Sequence, residues 1–511
     1  MIHGYMLSGS GSNVYVQNLC RALARAGHEV HLLCQEPGPL DYDFVAGHYA
    51  ADENGVTFQD GQETSYDGRC TVYTPDIGDL LPVYVYDDYP GWRVKTFLDL
   101  SGEEFDAYVR RNVSALQTVL AHSGAGAVIT NHSVPGPLIS LKALSGTGVP
   151  YLSIVHGSAL QYVARRSEFY RTVARDGLRG AAKILALSED SAGTVLEDFP
   201  ELGSKVRALP GGVDTDLFRP GALDPGSLEE LAGGTGRGPD QAAALRRLLG
   251  GEPDAEPLAE GLKEISVSYD PRSRDRDAGE RLKDLLDADA PLIIYVGKLI
   301  HSKGVHSLLS AFARVYHRTG ARLLVVGFGT YRETLEALTL CMSTGDRRTL
   351  ELLAGGGRFY GDGTPEHISH FSVPEDLLRE AAGMAEAVEF VGPLEHRELA
   401  KLLPAADVAV VPSIFPESFG LVAAEAAASG VPPFVADHSG LREAGAIVGR
   451  GLPFDLRINM DGFGALARAL MDYLSRSQEE RAVCGALVRR NSVEFLGWDT
   501  LAGEIARLAA G

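Results

Sequence analysis

The chain is poor in cysteine and contains no long apolar run. Its five cysteines are scattered, odd in number and form no Cys-x-x-Cys pair, which argues against a disulfide framework and is typical of a reduced cytosolic protein. No stretch of 18 apolar residues is present, so we expect no transmembrane helix. The first residues lack the charged region and apolar core of a secretory signal, and the expected location is therefore cytoplasmic.

Basic residues are also in deficit. There are 47 lysines and arginines against 68 aspartates and glutamates, a formal net charge of −21. This balance excludes a broad nucleic-acid surface and leaves at most peripheral contact with an anionic membrane. The length of 511 residues and the hydrophobic content of 45% predict a soluble protein of two or three domains.

Short apolar runs alternate with helical patterns in both halves of the chain. The expected strands are 29–34, 127–130, 151–155, 183–187 and 206–209 in the first half, and 292–296, 322–326, 387–391, 408–411 and 433–436 in the second. This alternation predicts parallel sheets, whose ligands bind at the carboxyl ends of the strands. Residues 40–97 show no clear pattern.

One strand–loop–helix–strand unit, residues 405–443, carries the densest set of candidate site residues. After a buried strand comes a loop, and then a helix that Ser418 is expected to cap and Gly430 to end in the left-handed conformation. The loop brings Glu417 to a helix N-terminus, where free N–H groups and the helix dipole favour an anion. Glu425 lies two turns further along.

A pair of lysines lies in a second loop that leads from a strand into a helix. Lys298 and Lys303 are five residues apart in Gly-Lys-Leu-Ile-His-Ser-Lys-Gly. Two cations at a helix start suit a diphosphate, although a solvated loop with two lysines remains the alternative.

The loop Gly9-Ser-Gly11 precedes a helix near the N-terminus. A glycine loop lets the backbone approach a phosphate or a sugar ring closely. A dinucleotide site is an alternative because Glu36 ends the next strand, but Val14 stands where the third glycine of that motif belongs.

Two histidines, His132 and His156, closely follow expected strands. Their place at the carboxyl edge of the sheet favours a functional role, most of all for His156, over packed or solvated side chains. The pair His367 and His370 invites a metal site, but no supporting cysteine or acid spacing accompanies it, so we expect none.

The segment 83–92 is rich in aromatic and acidic residues, including Tyr86 and Asp88. Flat rings and carboxylates suit a hydroxylated acceptor. A strand and turn packed on the domain is the alternative.

Together these motifs resemble the nucleotide-sugar site of retaining GT-B glycosyltransferases of family 4, the group 1 type. Glu417 and Glu425 match the paired glutamates of that family, with seven residues between them, and the step Phe419-Gly420-Leu421 also matches. Lys298 stands where the family usually has arginine, which replaces a planar fork by a point charge.

The resemblance implies an α/β fold of GT-B architecture, in which two Rossmann-like, doubly wound parallel-sheet domains face each other across a cleft. The expected domains are 1–220 for the acceptor and 290–494 for the donor, with a terminal helix in 495–511 packing back on the first. Residues 221–289 are rich in glycine, proline and mixed charge, which predicts a mobile or loosely packed insertion or linker. An ordered lid, an acceptor-specificity element and an oligomer contact stay open.

The implied reaction is retaining transfer of a hexose from a nucleoside-diphosphate sugar, UDP first and GDP next, to a hydroxyl acceptor, with no metal or other cofactor. By resemblance, Lys298, Lys303, Glu417 and His156 act at the reacting centre, where His156 contacts the transferred sugar. The resemblance also implies that Glu425 binds the ribose and that the turn at Leu394 offers backbone groups to the nucleobase. The implied donor-binding residues are Gly9, Gly11, Lys298, Lys303, Leu394, Glu417, Ser418, Phe419, Gly420, Leu421 and Glu425. The implied acceptor-binding residues are His132, Tyr86 and Asp88.

Other functions remain open at this stage. A sugar-nucleotide epimerase or a phosphorylase could use the same fold, and a glycoside hydrolase also needs two acids. A non-catalytic sugar-nucleotide-binding regulator is the alternative outside catalysis. The acceptor could be a small molecule, a glycan or a lipid-linked sugar, and a homo-oligomer is compatible with the sequence.

Overall fold

The computed structural model describes residues 1–85, 89, 91–222, 234–266, 274–286, 290–354, 374–460 and 462–510. The chain divides into two compact units. The first comprises Met1–Asp214 with Leu496–Gly511, and the second comprises Thr215–Phe495.

The secondary structure is numbered along the chain. The strands are β1 (Glu29–Leu33), β2 (Val45–Asp52), β3 (Gly55–Gly61), β4 (Arg69–Pro75), β5 (Leu80–Val83), β6 (Arg93–Thr96), β7 (Val128–Asn131), β8 (Tyr151–Val155), β9 (Lys183–Ala186), β10 (Val206–Ala208), β11 (Leu292–Val296), β12 (Arg322–Val326), β13 (Val388–Gly392), β14 (Val408–Val411), β15 (Pro433–Ala436) and β16 (Arg457–Ile458). The helices are α1 (Gly11–Arg25), α2 (Gly102–Ser123), α3 (Gly136–Ala143), α4 (Ser158–Tyr162), α5 (Glu168–Gly180), α6 (Glu189–Asp198), α7 (Pro239–Gly250), α8 (Ala255–Ile265), α9 (Ala278–Leu286), α10 (Val305–Thr319), α11 (Arg332–Thr344), α12 (Arg347–Ala354), α13 (Glu375–Glu380), α14 (His396–Leu402), α15 (Leu421–Ala428), α16 (Ser439–Val448), α17 (Phe463–Leu474), α18 (Gln478–Leu496) and α19 (Trp498–Ala510).

The first unit is built on two four-stranded groups, ordered β1-β4-β2-β3 and β10-β9-β8-β7. Ile2 joins them, because it makes parallel bridges to Leu33 in β1 and to Thr130 in β7. Strand pairs within the two groups are parallel except β2 with β3. Strands β1 to β4 lie on one side of Ile2, and β7 to β10 lie on the other. The order of the strands therefore reverses between Ile2 and β7, which is the topological switch point of this unit.

The stretch 40–97, which shows no clear pattern in the sequence, contains β2 to β6. Most side chains of the edge strand β3 are exposed, so alternation between apolar and polar residues is not required there. Strands β5 and β6 form a separate parallel pair.

The terminal helix α19 belongs to the first unit and packs on α1. The rings of Tyr15 and Trp498 meet edge to face, with centroids 4.8 Å apart. Val213 N donates a hydrogen bond of 2.8 Å to Leu496 O. A Cβ on Gly212 would collide with the Trp498 indole, so this close approach requires glycine.

The second unit contains a six-stranded, all-parallel sheet in the order β13-β12-β11-β14-β15-β16. This is the 3-2-1-4-5-6 order of the Rossmann fold, and its switch point lies between β11 and β14. Strands β11, β12, β14 and β15 begin and end at the residues that the sequence predicts. Their apolar side chains are buried almost throughout, which explains the continuous apolar runs.

The described part of the insertion forms helices α7, α8 and α9 in the second unit. Leu245 and Leu258 are buried, and so are the charged residues Arg237 and Asp275. Residues 234–266 and 274–286 therefore pack as helices with buried side chains, which favours the ordered alternatives over the loosely packed segment that the composition alone suggests.

Two expectations drawn from composition concern cysteines and membrane spans. All five cysteines are free thiols and buried. Burial raises the pKa of the Cys34 thiol well above its usual range, so this thiol stays protonated. Across the ranges that the structure describes, no helix combines the length and apolar character needed to cross a bilayer.

Candidate functional site

Two loops meet at the switch point of the second unit. Residues 297–304 follow β11, and residues 412–420 follow β14. Ile414 N donates a hydrogen bond of 3.0 Å to Ser302 O. Gly304 has φ 70°, and a Cβ there would collide with the carbonyl oxygen of Pro412. Glycine therefore lets the two loops form one surface.

On this surface the Lys303 ammonium forms an ion pair with the Glu417 carboxylate. Ser413 Oγ donates a hydrogen bond of 2.6 Å to the same carboxylate. The Lys303 and Glu417 side chains are 29% and 21% exposed, so both charged groups remain within reach of a ligand. We call Lys303, Ser413 and Glu417 the ionic site.

Glu417 is ionised at neutral pH. Burial opposes its charge, but the attraction and hydrogen bond of Lys303 and the hydrogen bond of Ser413 outweigh burial and hold the pKa of Glu417 below its ordinary value. Glu417 is therefore an acceptor of hydrogen bonds rather than a proton donor.

The start of α16 holds the Glu417 loop in place. Ser439 has φ 50°, a strained value for a residue with a side chain, and its Oγ accepts a hydrogen bond of 2.9 Å from Glu417 N. His438 Nε2 lies 2.7 Å from Ser413 O, with the ring nitrogen as donor. Sequence reasoning missed Ser413, His438 and Ser439, although Asp437-His-Ser-Gly directly follows an expected strand.

The helix start differs from the prediction. Helix α15 begins at Leu421, and its N-cap is Gly420 at φ 106°, not Ser418. Phe419 is buried at 2% exposure and anchors the turn in the core, which places the N-cap two residues later than expected. Gly420 has no side chain to occupy the first N–H groups, so they can face a ligand. The end agrees with the prediction, because Gly430 is left-handed.

Glu425 and Leu394 are connected through His396. Glu425 is buried on α15, and its Oε1 lies 3.2 Å from Nε2 of His396. His396 is the first residue of α14, two residues after Leu394 in the turn that follows β13. The structure thus brings the second glutamate to the turn on which the prediction places the nucleobase.

Lys298 lies in the same loop as Lys303. Its Nζ is 5.7 Å from the centroid of the Phe328 ring, a cation–π contact. Its carbonyl oxygen accepts a hydrogen bond of 2.9 Å from the hydroxyl of Tyr295.

At the switch point of the first unit, three histidines form a second group, which we call the histidine cluster: His3, His132 and His156. The ring of His132 stacks on His3 at 5.9 Å between centroids and lies 4.8 Å from His156. Sequence reasoning missed His3, because the segment before it is too short to show a strand pattern.

Two asparagines orient the outer rings of the cluster. His156 Nε2 lies 2.8 Å from Asn131 Oδ1, and His3 Nε2 lies 3.0 Å from Asn13 Oδ1. An amide oxygen only accepts, so Nε2 carries the proton in both histidines. Asn131 Nδ2 donates to Ile2 O (3.0 Å), which ties the cluster to the bridge in the sheet.

The histidine cluster is neutral at pH 7. Burial, together with the neighbouring His3, lowers the pKa of His156 to about 3. Burial lowers the pKa of His3 to about 4, although its hydrogen bond with Asn13 opposes the shift. The pKa of His132 is held well below its usual range by burial and by the other two histidines.

His132 is strained and incompletely paired. It has φ 68° and is only 2% exposed. Among the described residues, neither of its ring nitrogens has a hydrogen-bond partner. Its ring instead contacts Tyr84, 4.6 Å between centroids, and the Tyr84 hydroxyl donates to Val134 O at 2.6 Å. A buried polar group in this state is typical of a place where a ligand supplies the missing hydrogen bond.

The glycine loop lies beside the cluster. Gly9 has φ 87°, and Gly11, the first residue of α1, is exposed with open space where a Cβ would be. Asn13 Nδ2 donates a hydrogen bond of 2.6 Å to Ser8 O, so the residue that orients His3 also fixes the loop.

Glu36, the residue that suggested a dinucleotide site, forms hydrogen bonds with other residues of the protein. It is buried, and its carboxylate accepts hydrogen bonds from Leu7 N at 2.8 Å and from the Tyr42 hydroxyl at 3.4 Å. These contacts argue against a ribose-binding role for Glu36.

Some predicted residues cannot be placed. Tyr86, Asp88, His367 and His370 lie outside the described residues. Within the described part of the chain, no group of three or more histidine, cysteine, aspartate or glutamate side chains could hold a metal ion. The prediction of a metal-free site stays a prediction.

Two family models match the chain, one in each unit. The model described as "Glycosyl transferase 4-like domain" matches residues 10–212, and the model described as "Glycosyl transferases group 1" matches residues 372–485. The chain belongs to the group 1 glycosyltransferases. The expected group 1 type and the expected enzyme class, a glycosyltransferase, are thereby confirmed, and retention of configuration stays a prediction.

Several curated proteins resemble this group 1 glycosyltransferase. A glycogen synthase of Mycobacterium tuberculosis is 30% identical over 42% of this chain and 41% of its own length. An uncharacterized glycosyltransferase of Methanocaldococcus jannaschii is 30% identical over 30% of this chain and 29% of its own length. Each of these two matches therefore spans less than half of the relative. A D-inositol 3-phosphate glycosyltransferase of Frankia alni is 24% identical over 85% of this chain and 79% of its own.

Solved structures share the fold. The sucrose-phosphate synthase from Thermosynechococcus elongatus aligns with a TM-score of 0.59 at 21% identity, covering 99% of this chain and 94% of that one. Anabaena HepE in complex with UDP and glucose aligns with a TM-score of 0.56 at 14% identity, covering 99% and 98%. The predicted α/β fold of GT-B type is confirmed.

Proposed function

We propose that this group 1 glycosyltransferase transfers a hexose from a nucleoside-diphosphate sugar, UDP first and GDP next, to a hydroxyl acceptor with retention of configuration. The observation that carries the proposal is the ionic site at the switch point of the second unit, where Lys303 and Glu417 lie side by side. A lysine next to an ionised acid suits a ligand that joins a diphosphate to a hydroxyl-rich ring. UDP is the first choice because the fold relative HepE binds UDP and UDP-glucose.

The diphosphate is proposed to lie between Lys303, Lys298 and the start of α15. Departure of the nucleoside diphosphate builds negative charge on the β-phosphate. Fixed positive charges and free N–H groups aimed at that charge lower the barrier without any rearrangement during the reaction. The mechanism therefore needs no metal ion, which is a prediction rather than an observation.

The two glutamates are proposed to hold different hydroxyl groups. Glu417 is ionised and partly exposed, so its carboxylate can accept hydrogen bonds from the donor sugar. Glu425 is buried beside the turn at Leu394, which suits contact with the ribose of a nucleotide whose base lies on that turn.

Roles are also proposed for the histidines of the first unit. A neutral imidazole donates one hydrogen bond and accepts another, which suits an uncharged hydroxyl group. His132, whose ring nitrogens have no partner in the described residues, is proposed to bind an acceptor hydroxyl. For His156 we keep the role that the family resemblance implies, contact with the transferred sugar.

Hydrolysis of a glycosidic bond is less well supported. That reaction needs one carboxylic acid with a raised pKa as proton donor. The pKa of Glu417 is lowered instead, by the adjacent Lys303 ammonium against the effect of burial.

Thermal-shift measurements with UDP, GDP, ADP and their sugars test the proposal first. A nucleotide at about 100 times its Kd stabilises the folded state by roughly 2.7 kcal/mol, so the correct base raises Tm. Incubation with that sugar nucleotide then separates the alternatives, since transfer requires an acceptor, an epimerase needs none, and a pure binding protein releases no nucleotide.

We expect transfer to persist in the presence of a chelator. Loss of activity that magnesium restores would contradict the metal-free mechanism.

A further inference from the structure

The insertion supplies a buried acid to the second unit. Asp275 precedes α9, and its side chain is fully buried. Arg332 donates two hydrogen bonds to the Asp275 carboxylate, from Nη1 to Oδ1 and from Nη2 to Oδ2, each of 2.7 Å. Arg281 Nη2 donates a third, of 2.5 Å, to Asp275 Oδ2. A bidentate pair of this kind fixes the orientation of the guanidinium as well as its charge.

The two arginines carry this contact to the edge strand of the sheet. Arg332 Nη2 and Arg281 Nη1 both donate to Phe390 O in β13, at 3.0 and 2.6 Å. Gly392, the last residue of β13, has φ 78°, and a Cβ there would lie 2.6 Å from Asp275 Oδ1. Asp275 therefore lies directly against the end of β13.

The end of β13 leads into a turn of the proposed donor site. Leu394, expected at the nucleobase, comes two residues after Gly392. Gly392 O accepts a hydrogen bond of 2.9 Å from Gly327 N, which joins this turn to the one that follows β12. Asp275 thus supports two neighbouring turns at the carboxyl edge of the sheet.

The turn after β12 connects Arg332 to the lysine loop. Arg332 is the first residue of α11, and Tyr331 N, just before it, donates to Leu299 O at 2.9 Å. Leu299 N donates to Phe328 O at 2.7 Å, and the Phe328 ring contacts Lys298. A continuous series of contacts therefore runs from Asp275 through Arg332 to the loop that carries Lys298.

We infer that Asp275 is a positioning residue for the donor site, an inference that rests on the proposed function. The insertion then acts beyond its own segment, because its buried carboxylate holds the nucleobase turn and the lysine loop in register. Removal of that charge leaves Arg332 buried without its main partner, and both turns lose their common support.

A second buried contact of the insertion supplies a matched control. Arg237 forms ion pairs with Glu333 and Glu336, both on α11. This contact also fastens the insertion to the second unit. Glu336 accepts a hydrogen bond of 2.9 Å from Arg332 Nε as well, so Arg237 lies at the outer end of the same network and makes, among the described residues, no side-chain hydrogen bond with either turn. If the insertion merely stabilised the unit, loss of Arg237 and loss of Asp275 would have similar effects on nucleotide binding.

The test measures the Kd of whichever of UDP, GDP and ADP the natural chain binds most tightly, by calorimetry, together with Tm. Asp275→Asn is expected to weaken binding about tenfold, because its carboxylate contacts both Arg332 and the end of β13. Arg237→Gln leaves those contacts in place and is expected to change Kd less than about twofold at a similar loss of Tm. Equal changes in Kd for the two variants would overturn the inference and leave the proposed function intact. Failure of the natural chain to bind any of the three nucleotides would contradict the proposed function, and the inference with it.

A double variant covers the case in which Asp275→Asn does not fold. Asp275→Asn with Arg332→Gln removes both charges and keeps hydrogen-bonding groups, which is milder than leaving one buried charge alone. The inference predicts weaker nucleotide binding for the folded double variant as well. A nucleotide Kd of the double variant equal to that of the natural chain would overturn the inference.

Discussion

The two units place different chemistry at the same position of the same kind of sheet. In the second unit, the switch point holds the ionic site, an ammonium paired with a carboxylate. In the first unit, the switch point holds the histidine cluster, three buried imidazoles that are neutral at pH 7. Both arise because residues directly after parallel strands converge at one edge.

The difference teaches which ligand each edge suits. A partly exposed ion pair can exchange partners with a charged pyrophosphate at little desolvation cost. A buried neutral cluster would exclude a charged group but can exchange hydrogen bonds with hydroxyl groups. The fold alone does not distinguish a charged from an uncharged subsite, whereas the side chains at the two switch points do.

Loss of the negative charge in the ionic site should have the largest effect. We expect Glu417→Gln to lower kcat by about a hundredfold or more, because the amide keeps the size of the side chain but disrupts both the Lys303 pair and the contact with the sugar. Steady-state kinetics with the donor found by thermal shift measures this.

The matched control is Glu479→Gln, an exposed glutamate on α18 in the same unit. It should leave kcat and Tm unchanged. If Glu417→Gln turned over at nearly the rate of the natural chain, Glu417 would not act in the site. The proposed difference between a charged site in the second unit and a neutral one in the first would then be contradicted.

Loss of the positive charge should affect the phosphates selectively. Lys303→Ala is expected to weaken UDP binding about 10- to 100-fold, as removal of a hydrogen bond to a charged group costs roughly 1.5–3 kcal/mol, and to leave uridine binding nearly unchanged. It also leaves the Glu417 carboxylate facing the diphosphate without compensation. Calorimetric titration with UDP and with uridine gives the two Kd values.

Lys263→Ala, on the exposed face of α8, removes the same charge from the second unit away from the site. It controls for the general field of a chain with a net charge of −21. Equal losses for UDP and uridine in Lys303→Ala would contradict contact between this lysine and the phosphates.

Much of the ionic site could be predicted because its signals are local. Lys303 and Glu417 each lie in a short motif between a buried strand and a helix, and buried strands such as 292–296 show as continuous apolar runs. The helix cap was mispredicted because Ser418 has the favoured residue type, whereas packing of Phe419 in the core decides where the helix starts.

What the sequence conceals depends on contacts between distant segments. His3 and Tyr84 reach His132 only after the sheet of the first unit has formed. Asp275 lies in a glycine- and charge-rich segment whose composition is typical of a mobile region, and its burial follows from arginines six and 57 residues further along. Sequence periodicity does not predict such contacts, because each residue of a pair is, on its own, an ordinary polar residue.

The smallest expected effect concerns the pH dependence of the histidine cluster. The folded-state pKa values of its members lie below the ordinary value of 6.5, so the unfolded chain binds protons first as the pH falls. Their contribution to stability is therefore complete above pH 6.5 and is lost progressively as the pH falls towards the folded-state pKa values, about 4 for His3 and about 3 for His156. At the ionic site the pKa of Glu417 is lowered from 4.5, so that contribution is lost only below pH 4.5.

Tryptophan fluorescence can follow the first unit alone, because both tryptophans of the chain, Trp92 and Trp498, belong to it. Asparagine tolerates the positive φ of His132 and does not titrate, so His132→Asn removes one titrating group with little backbone strain. Between pH 6.5 and 4.5, urea unfolding of this variant should lose roughly 1 kcal/mol less per pH unit than that of the natural chain, the equivalent of about one proton. His31 and His48 also have lowered pKa values, caused mainly by burial, but they are the same in both proteins and cancel from the difference. Identical slopes would mean that His132 is protonated in the folded state, and a cluster carrying that charge could no longer be the uncharged counterpart of the ionic site.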